Sequence, residues 1–162
     1  MRVLALSLAL VLGLGGAACH KSAPAADNLK AAQGFLAANG RQPGVITLPS
    51  GLEYKVVHSG PAGGQHPAAG DELKVNYEGK LLNGTVFDSS FARGEAADLP
   101  LAGLIPGWLE ALPMMRPGDE WILYVPPALG YGDHGPDAIP PNSLLIFRIQ
   151  LLGVLPHSPA MG

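Results

Sequence analysis

The sequence predicts an α+β fold: a curved antiparallel β-sheet of about five strands wrapped over one short central α-helix, with a short N-terminal helix in front of it. Three observations point there. From residue 45 onward, short apolar or alternating stretches recur between Gly, Pro and Asn-Gly punctuation, as strands and turns require. One helical piece lies among them, bracketed by Pro106, Pro113 and Pro117. Gly and Pro total 22 plus 16, or 38 of 162 residues, too many for a helix bundle or coiled coil, while Val, Leu and Ile are too abundant for wholesale disorder.

The length suits one domain with short appendages. A net charge of -3 argues against a nucleic-acid partner, and one cysteine excludes an internal disulfide framework or a multi-cysteine metal cluster.

Residues 1–18 read as an export signal: Arg2 precedes an apolar run, broken only by Ser7, that closes on Gly15, Gly16, Ala17 and Ala18. The run is shorter than the ~20 residues a membrane-spanning helix needs. Cleavage after Ala18 makes Cys19 the first mature residue. Ala17-Ala18-Cys19 resembles the lipobox of bacterial lipoproteins, whose acylated thiol anchors the chain, although Gly16 stands where that pattern has Leu. His20 rather than Asp after the cysteine resembles outer-membrane sorting. The expectation is a periplasmic protein held to the outer membrane by lipid; the alternative is a soluble periplasmic or secreted protein with an incidental cysteine.

Residues 19–44 read as a tether followed by a short helix. Asp27 can cap it, Leu29, Ala32, Phe35 and Leu36 share one face, and Asn39-Gly40 ends it. With Gly34 in its middle the helix is marginal unless it packs on the domain, so it reads as a strap.

Residues 45–155 carry the domain. Strands are expected at 45–48, 52–58 and 72–77, then at 78–82 folding back on 85–88 through Asn83-Gly84, the strongest hairpin signal in the chain. A short helix at 108–112 and a strand at 120–125 follow. A loop at 126–143 leads into a last strand at 144–152, and residues 156–162 read as a frayed tail. Loops beyond ~12 to 15 residues are usually functional or disordered. This one holds Leu129, Tyr131, Ala138 and Ile139, which suits a pocket wall. Asp71, Glu72, Asp119 and Glu120, at strand starts after Gly, read as solvated turn charges.

Several chemistries find no support. His20, His58, His66, His134 and His157 lack metal-ligand spacing, and there is no phosphate loop or dinucleotide fingerprint. Ser89-Ser90 lies in no nucleophile elbow. No metal or cofactor is expected. What remains is an apolar and aromatic set at turns and element ends: Tyr77, Phe87, Asp88, Leu104, Ile105, Trp108, Tyr131, Ile139 and Phe147.

Between about Gly51 and Leu152 the sequence resembles the FKBP-type peptidyl-prolyl cis/trans isomerases. The blocks are Val75-Asn76-Tyr77-Glu78-Gly79, Asn83-Gly84-Thr85-Val86-Phe87-Asp88-Ser89-Ser90, Leu104-Ile105-Pro106-Gly107-Trp108, Tyr131-Gly132 and Ile139-Pro140-Pro141-Asn142, ending at Phe147. The lead-in from Pro43 to Leu52 resembles the bacterial envelope branch, which includes the macrophage-infectivity-potentiator type. The long dimerising helix of that type is not found, so a monomer is expected.

The resemblance implies a pocket with Trp108 as its floor, Tyr77, Phe87, Ile105, Tyr131 and Phe147 as walls, and Asp88 near the rim. These are the residues expected to be catalytic; Leu99, Leu104, Ala138 and Ile139 are expected to touch substrate. Leu99 stands where the family often has a wall Phe, and the loop at 132–138 is short. The implied partners are proline-containing unfolded or extended polypeptides and macrolide inhibitors. The implied reaction is rotation about the X-Pro bond, whose barrier near ~20 kcal/mol comes from lost amide conjugation. An alternative is an envelope chaperone that holds such chains with little turnover.

Overall fold

The computed structural model describes residues 22–155, which run as α1 (Ser22–Asn39), β1 (Val45–Thr47), β2 (Glu53–His58), β3 (Glu72–Leu81), β4 (Val86–Ser89), α2 (Ser90–Arg93), β5 (Ala97–Pro100), α3 (Pro106–Ala111), β6 (Glu120–Val125) and β7 (Leu145–Leu155). The expected export signal, Cys19 and the tail lie outside the described residues.

The strands form one antiparallel sheet in the order β1-β2-β6-β7-β3-β4. β5 pairs with β3 at Glu72–Val75 while β4 pairs at Glu78–Lys80, so the two share one edge of β3, one after the other. The central pair is β3 with β7, paired from Glu72↔Leu155 to Leu81↔Leu145 with a one-residue register shift between Lys74 and Val75. Alternation along both strands puts Leu73, Val75, Tyr77 and Leu81 on the core face beside Leu145, Phe147, Ile149 and Leu151. β6 adds Trp121, Leu123 and Val125.

α3 packs against that face. Pro106 opens it at a position where a missing N–H costs nothing, and Trp108 and Ala111 are buried with Leu112 and Met115 just beyond. Six residues make no stable helix alone, so its position is set by this burial.

The architecture is the expected one, with several corrections. Among the described residues there are seven strands rather than about five. Residues 72–82, read as two strands, form the single strand β3 up to Leu81, and β5 was not expected. The hairpin turns at Asn83-Gly84, where Gly84 has a φ of 88° and Asn83 Oδ1 accepts from Thr85 N at 3.0 Å. The last strand runs on to Leu155, and the long loop holds a 3-10 turn at Pro127–Leu129. α1 begins at Ser22, so Asp27 lies inside it and residues 22–26 are helix rather than tether; Pro24 is tolerated because it sits in the first turn. Of its expected apolar face, Ala32 is buried and Phe35 reaches Tyr124, with ring centroids 5.7 Å apart, but Leu29 is exposed. At its C-terminal end Asn39 Nδ2 donates to the buried Glu53 at 2.7 Å, so the helix is strapped to the domain.

Asp71 and Asp119 are buried, not solvated. Asp71 accepts from Ala68 N at 2.8 Å; Asp119 accepts from Gly60 N at 2.7 Å and Arg116 N at 3.0 Å. Each carboxylate ties down turn amides that would otherwise be left unpaired.

Candidate active site

The core face of the sheet does not close over α3 completely, and the opening is a cavity of about 230 Å³. Tyr77, Phe87, Asp88, Leu99, Gly103, Leu104, Ile105, Trp108, Tyr131 and Phe147 line it. Trp108 enters from α3, Tyr77 from β3, Phe87 and Asp88 from β4, Leu99 from β5 and Phe147 from β7. Leu104 and Ile105 come from the segment before α3, and Tyr131 from the loop after β6.

The rings meet edge to face. Tyr77 and Trp108 stand 5.4 Å apart at 85°, Trp108 and Phe147 5.2 Å apart at 84°, and Phe87 and Phe147 5.7 Å apart at 88°. This arrangement suits the quadrupoles of the rings and locks each one by its neighbours. Trp108 is 4% exposed, and its indole Nε1 is buried with no acceptor among the described residues. Tyr131, 39% exposed, stands at the mouth.

One polar group interrupts the apolar lining. Asp88 follows Phe87 on β4, so its side chain turns toward the rim, where it accepts a hydrogen bond from the Tyr77 hydroxyl. Arg93 Nη1 donates to its other oxygen at 2.5 Å, and Arg93 Nη2 donates to the Tyr77 hydroxyl oxygen at 3.2 Å. Partial burial opposes ionisation of Asp88, but the Tyr77 and Arg93 hydrogen bonds outweigh it and hold the carboxyl below its ordinary range. Tyr77 moves the other way: burial, with the Asp88 carboxylate beside it, raises its phenol above the usual value.

Local sequence explains these placements. Ser89 caps α2 by accepting from Ala92 N at 3.1 Å, and Gly94 ends it at a φ of 72°. That single turn swings Arg93 back over Asp88. Ser90 is fully buried and its hydroxyl accepts from Tyr77 N at 2.8 Å while donating to Tyr77 O at 3.3 Å, so the serine pair fixes the frame of the site. Gly79 leaves room for the walls: a Cβ there would lie 2.6 Å from Phe87 Cζ and 2.7 Å from Phe147 Cε1.

Nine of the eleven residues expected in the site line this cavity. Ala138 and Ile139 do not: Ala138 is exposed on the loop, and Ile139 is buried in the core behind it. Reading the sequence missed Arg93, Gly103 and the spacing role of Gly79. Arg93 carries no local signal, because its approach to Asp88 depends on a one-turn helix too short to show a period. Gly79 stands in the Val75–Gly79 block and was legible only as a place without a side chain.

Two family models match the chain. One, the FKBP-type peptidyl-prolyl cis-trans isomerase, covers residues 63–152; the other, the domain amino-terminal to such isomerases, covers residues 17–56. Among curated relatives, the peptidyl-prolyl cis-trans isomerase Mip of Coxiella burnetii is 52% identical over 128 residues, covering 78% of this chain and 55% of its own length. The chain spans little more than half the length of curated relatives such as this one and the FKBP-type 22 kDa peptidyl-prolyl cis-trans isomerase of Escherichia coli. The crystal structure of FkpA from Escherichia coli superposes with a TM-score of 0.80 at 40% identity, over 84% of this chain and 63% of that one. A peptidyl-prolyl cis-trans isomerase of Pseudomonas syringae superposes with a TM-score of 0.75 at 34% identity, over 83% of this chain and 98% of its own. With more than half of the sequence matched by the isomerase model, and an aromatic cavity where that family's blocks converge, the chain belongs to the FKBP-type peptidyl-prolyl cis-trans isomerases.

Proposed function

We propose that this protein accelerates cis/trans rotation about X-Pro bonds in exported polypeptides, and that residues 45–155 carry the activity with α1 strapped to them. The observation that carries this reading is the aromatic cavity itself, floored by Trp108 and walled by Tyr77, Phe87 and Phe147. A prolyl ring fits a hollow of this size and lining, and rotation needs neither nucleophile nor proton carrier.

Catalysis here is differential binding. The planar amide is polar and conjugated; at the perpendicular transition state the carbonyl is less polar and the nitrogen pyramidal. A dry aromatic site disfavours the planar form relative to the twisted one, and so lowers the barrier. Trp108 supports the ring, while Tyr77 and Phe87 exclude water. Leu104 and Ile105 lie where an extended peptide would run, and Tyr131 at the mouth supplies a hydroxyl for a substrate carbonyl. Asp88 orients Tyr77, whose hydroxyl donates to one of its oxygens while Arg93 holds the other. Leu99 sets the width of one wall, and Ile139 supports the loop from behind. The same lining suits a macrolide ligand.

The pattern of residues 1–18 favours the periplasm as the site of action, and Ala17-Ala18-Cys19 favours a lipid anchor there. Incorporation of labelled palmitate that Cys19→Ser abolishes tests the anchor.

The decisive experiment is the isomerisation rate of short peptides with Leu or Phe before Pro, using the purified full chain. A large acceleration that Trp108→Ala removes is expected. A folded sample that binds unfolded chains without accelerating rotation would replace this reading with that of a holding chaperone.

A further inference from the structure

The loop carrying Tyr131 contains a stretch that cannot fasten itself. Pro140 and Pro141 have no N–H, so only their carbonyls can anchor the backbone between Ile139 and Asn142. Both carbonyls receive side-chain donors. Ser143 Oγ donates to Pro140 O at 2.7 Å, and Asn28 Nδ2, from α1, donates to Pro141 O at 2.9 Å across 113 positions of sequence.

A second bond runs the other way. Asn142 Nδ2 donates to Ala25 O, one turn earlier on α1, at 3.3 Å. Asn142 has a φ of 56°, the only positive value outside glycine among the described residues. Asn tolerates that region better than most residues, and its amide is the group placed against the helix. The backbone N–H of Asn142 meanwhile donates to Gly132 O at 2.7 Å, next to Tyr131, and closes the base of the loop. Inside the loop, a Cβ on Gly135 would meet Ile139 O at 3.0 Å and Tyr131 Cβ at 3.3 Å, so Tyr131 and Ile139 pack tightly about that glycine.

We propose that α1 is a brace for the substrate-facing loop, with Asn28 and Asn142 as positioning residues that hold Tyr131 at the mouth of the cavity. The path is continuous: Asn28 fixes Pro141, Asn142 fixes both α1 and Gly132, and Gly132 adjoins Tyr131. The helix is thus more than a connector, because its N-terminal half ends on the loop and its C-terminal half on Glu53. As a readout in turnover, this role rests on the isomerase reading. A hydroxyl that contacts the peptide equally before and during rotation contributes uniform binding, so loosening it raises KM and spares kcat.

The test uses three variants of the full chain. Asn28→Asp keeps the shape and loses the donor; Asn142→Gly keeps the positive φ and loses the donor; Asn39→Ala cuts the other end of the helix from Glu53. Two quantities are read: amide exchange at Ile139 and Asn142, and KM and kcat for a Leu-Pro peptide. Asn28→Asp and Asn142→Gly are expected to speed exchange at those amides about tenfold while leaving Phe147 to Leu151 unchanged. They should raise KM by about 3- to 10-fold with kcat within about twofold. Asn39→Ala should lower Tm and leave KM as it is. Unchanged exchange in the first two variants overturns the brace, and so does faster exchange with KM unmoved. Equal KM effects from all three variants also overturn it, since the helix would then act only through stability. A wild-type chain without turnover would sink the isomerase reading alone. Loop exchange, with peptide affinity from tryptophan fluorescence in place of KM, would still decide the brace.

Discussion

The Tyr77 hydroxyl donates to the Asp88 carboxylate, and this pairing gives the one acid lining the cavity a job before any peptide arrives. Arg93 occupies the second oxygen at 2.5 Å. An acid tied in this way holds a phenol and a guanidinium in fixed positions. Two of its roughly four lone-pair sites are taken up in doing so.

That assignment predicts coupling between two variants. Tyr77→Phe and Asp88→Ala should each lower kcat/KM by about 3- to 10-fold, the worth of one hydrogen bond. The double variant should lose little more than either alone, because both remove the same contact. Effects that multiply in the double variant would give Asp88 a role of its own toward the substrate.

Gly79 predicts a steric effect on the walls. Its φ is not positive, so the backbone accepts alanine, but the new methyl would lie 2.6 to 2.7 Å from Phe87 and Phe147. Gly79→Ala should therefore cost about 1–3 kcal/mol of stability by overpacking and displace both rings from the cavity. Peptide turnover should fall with it. Adding Phe87→Leu should return part of the stability without the activity; a Gly79→Ala protein of wild-type stability and turnover would refute the contact.

The acid limb of stability follows from two carboxylates. Asp88 is held below its ordinary range by the Tyr77 and Arg93 hydrogen bonds, which outweigh the opposing effect of burial; Glu120 is held low chiefly by Arg148, whose Nε donates to it at 2.7 Å. A folded value lower than the unfolded one means that the unfolded chain binds protons first as pH falls. The stability from these groups is complete above about pH 5 and is lost as pH falls through and below ~4, toward their depressed folded values. Urea midpoints measured from pH 7 to pH 2 should fall in that window. The fall should be shallower in Asp88→Asn combined with Glu120→Gln; an identical slope would show that other carboxylates govern it.

Much of this fold was legible because burial leaves a period in sequence. Alternation in β3, β6 and β7, the Asn83-Gly84 turn and the proline bracket around α3 each report a local physical constraint. Of the nine expected residues that line the cavity, seven were legible as apolar or aromatic positions at turns and element ends, Asp88 by its place directly after an apolar strand, and Leu99 only through the family resemblance. What escaped was set by contacts distant in sequence. β5, Ala-Asp-Leu-Pro, has no strand signal of its own and exists because the free edge of β3 accepts it. Arg93 reaches Asp88 only because Ser89 and Gly94 bracket a four-residue helix. Asp119 was read as exposed because nothing local shows that Gly60, 59 positions away, brings an amide to it. Ala138 and Ile139 are expected to touch substrate from the sequence, yet Ala138 is exposed on the loop and Ile139 is buried in the core.

Gly34 tests how much the brace depends on the helix that forms it. It sits in the middle of α1, its φ is not positive, and a Cβ there would meet nothing within 4 Å. Gly34→Ala should therefore stabilise the helix by about 0.5–1 kcal/mol, largely by restricting the unfolded chain. The gain need not appear in the global unfolding transition, because a strap held at a few points can open without the sheet. It should appear as slower amide exchange within α1. If Asn28 and Asn142 transmit helix formation to the loop, exchange at Ile139 and Asn142 slows by a similar factor, since opening of the helix releases Pro141 and Ala25 together. Slower exchange in α1 alone would separate the helix from the loop, while no change in α1 would mean that its opening is limited by docking on Tyr124 and Glu53 rather than by its own backbone.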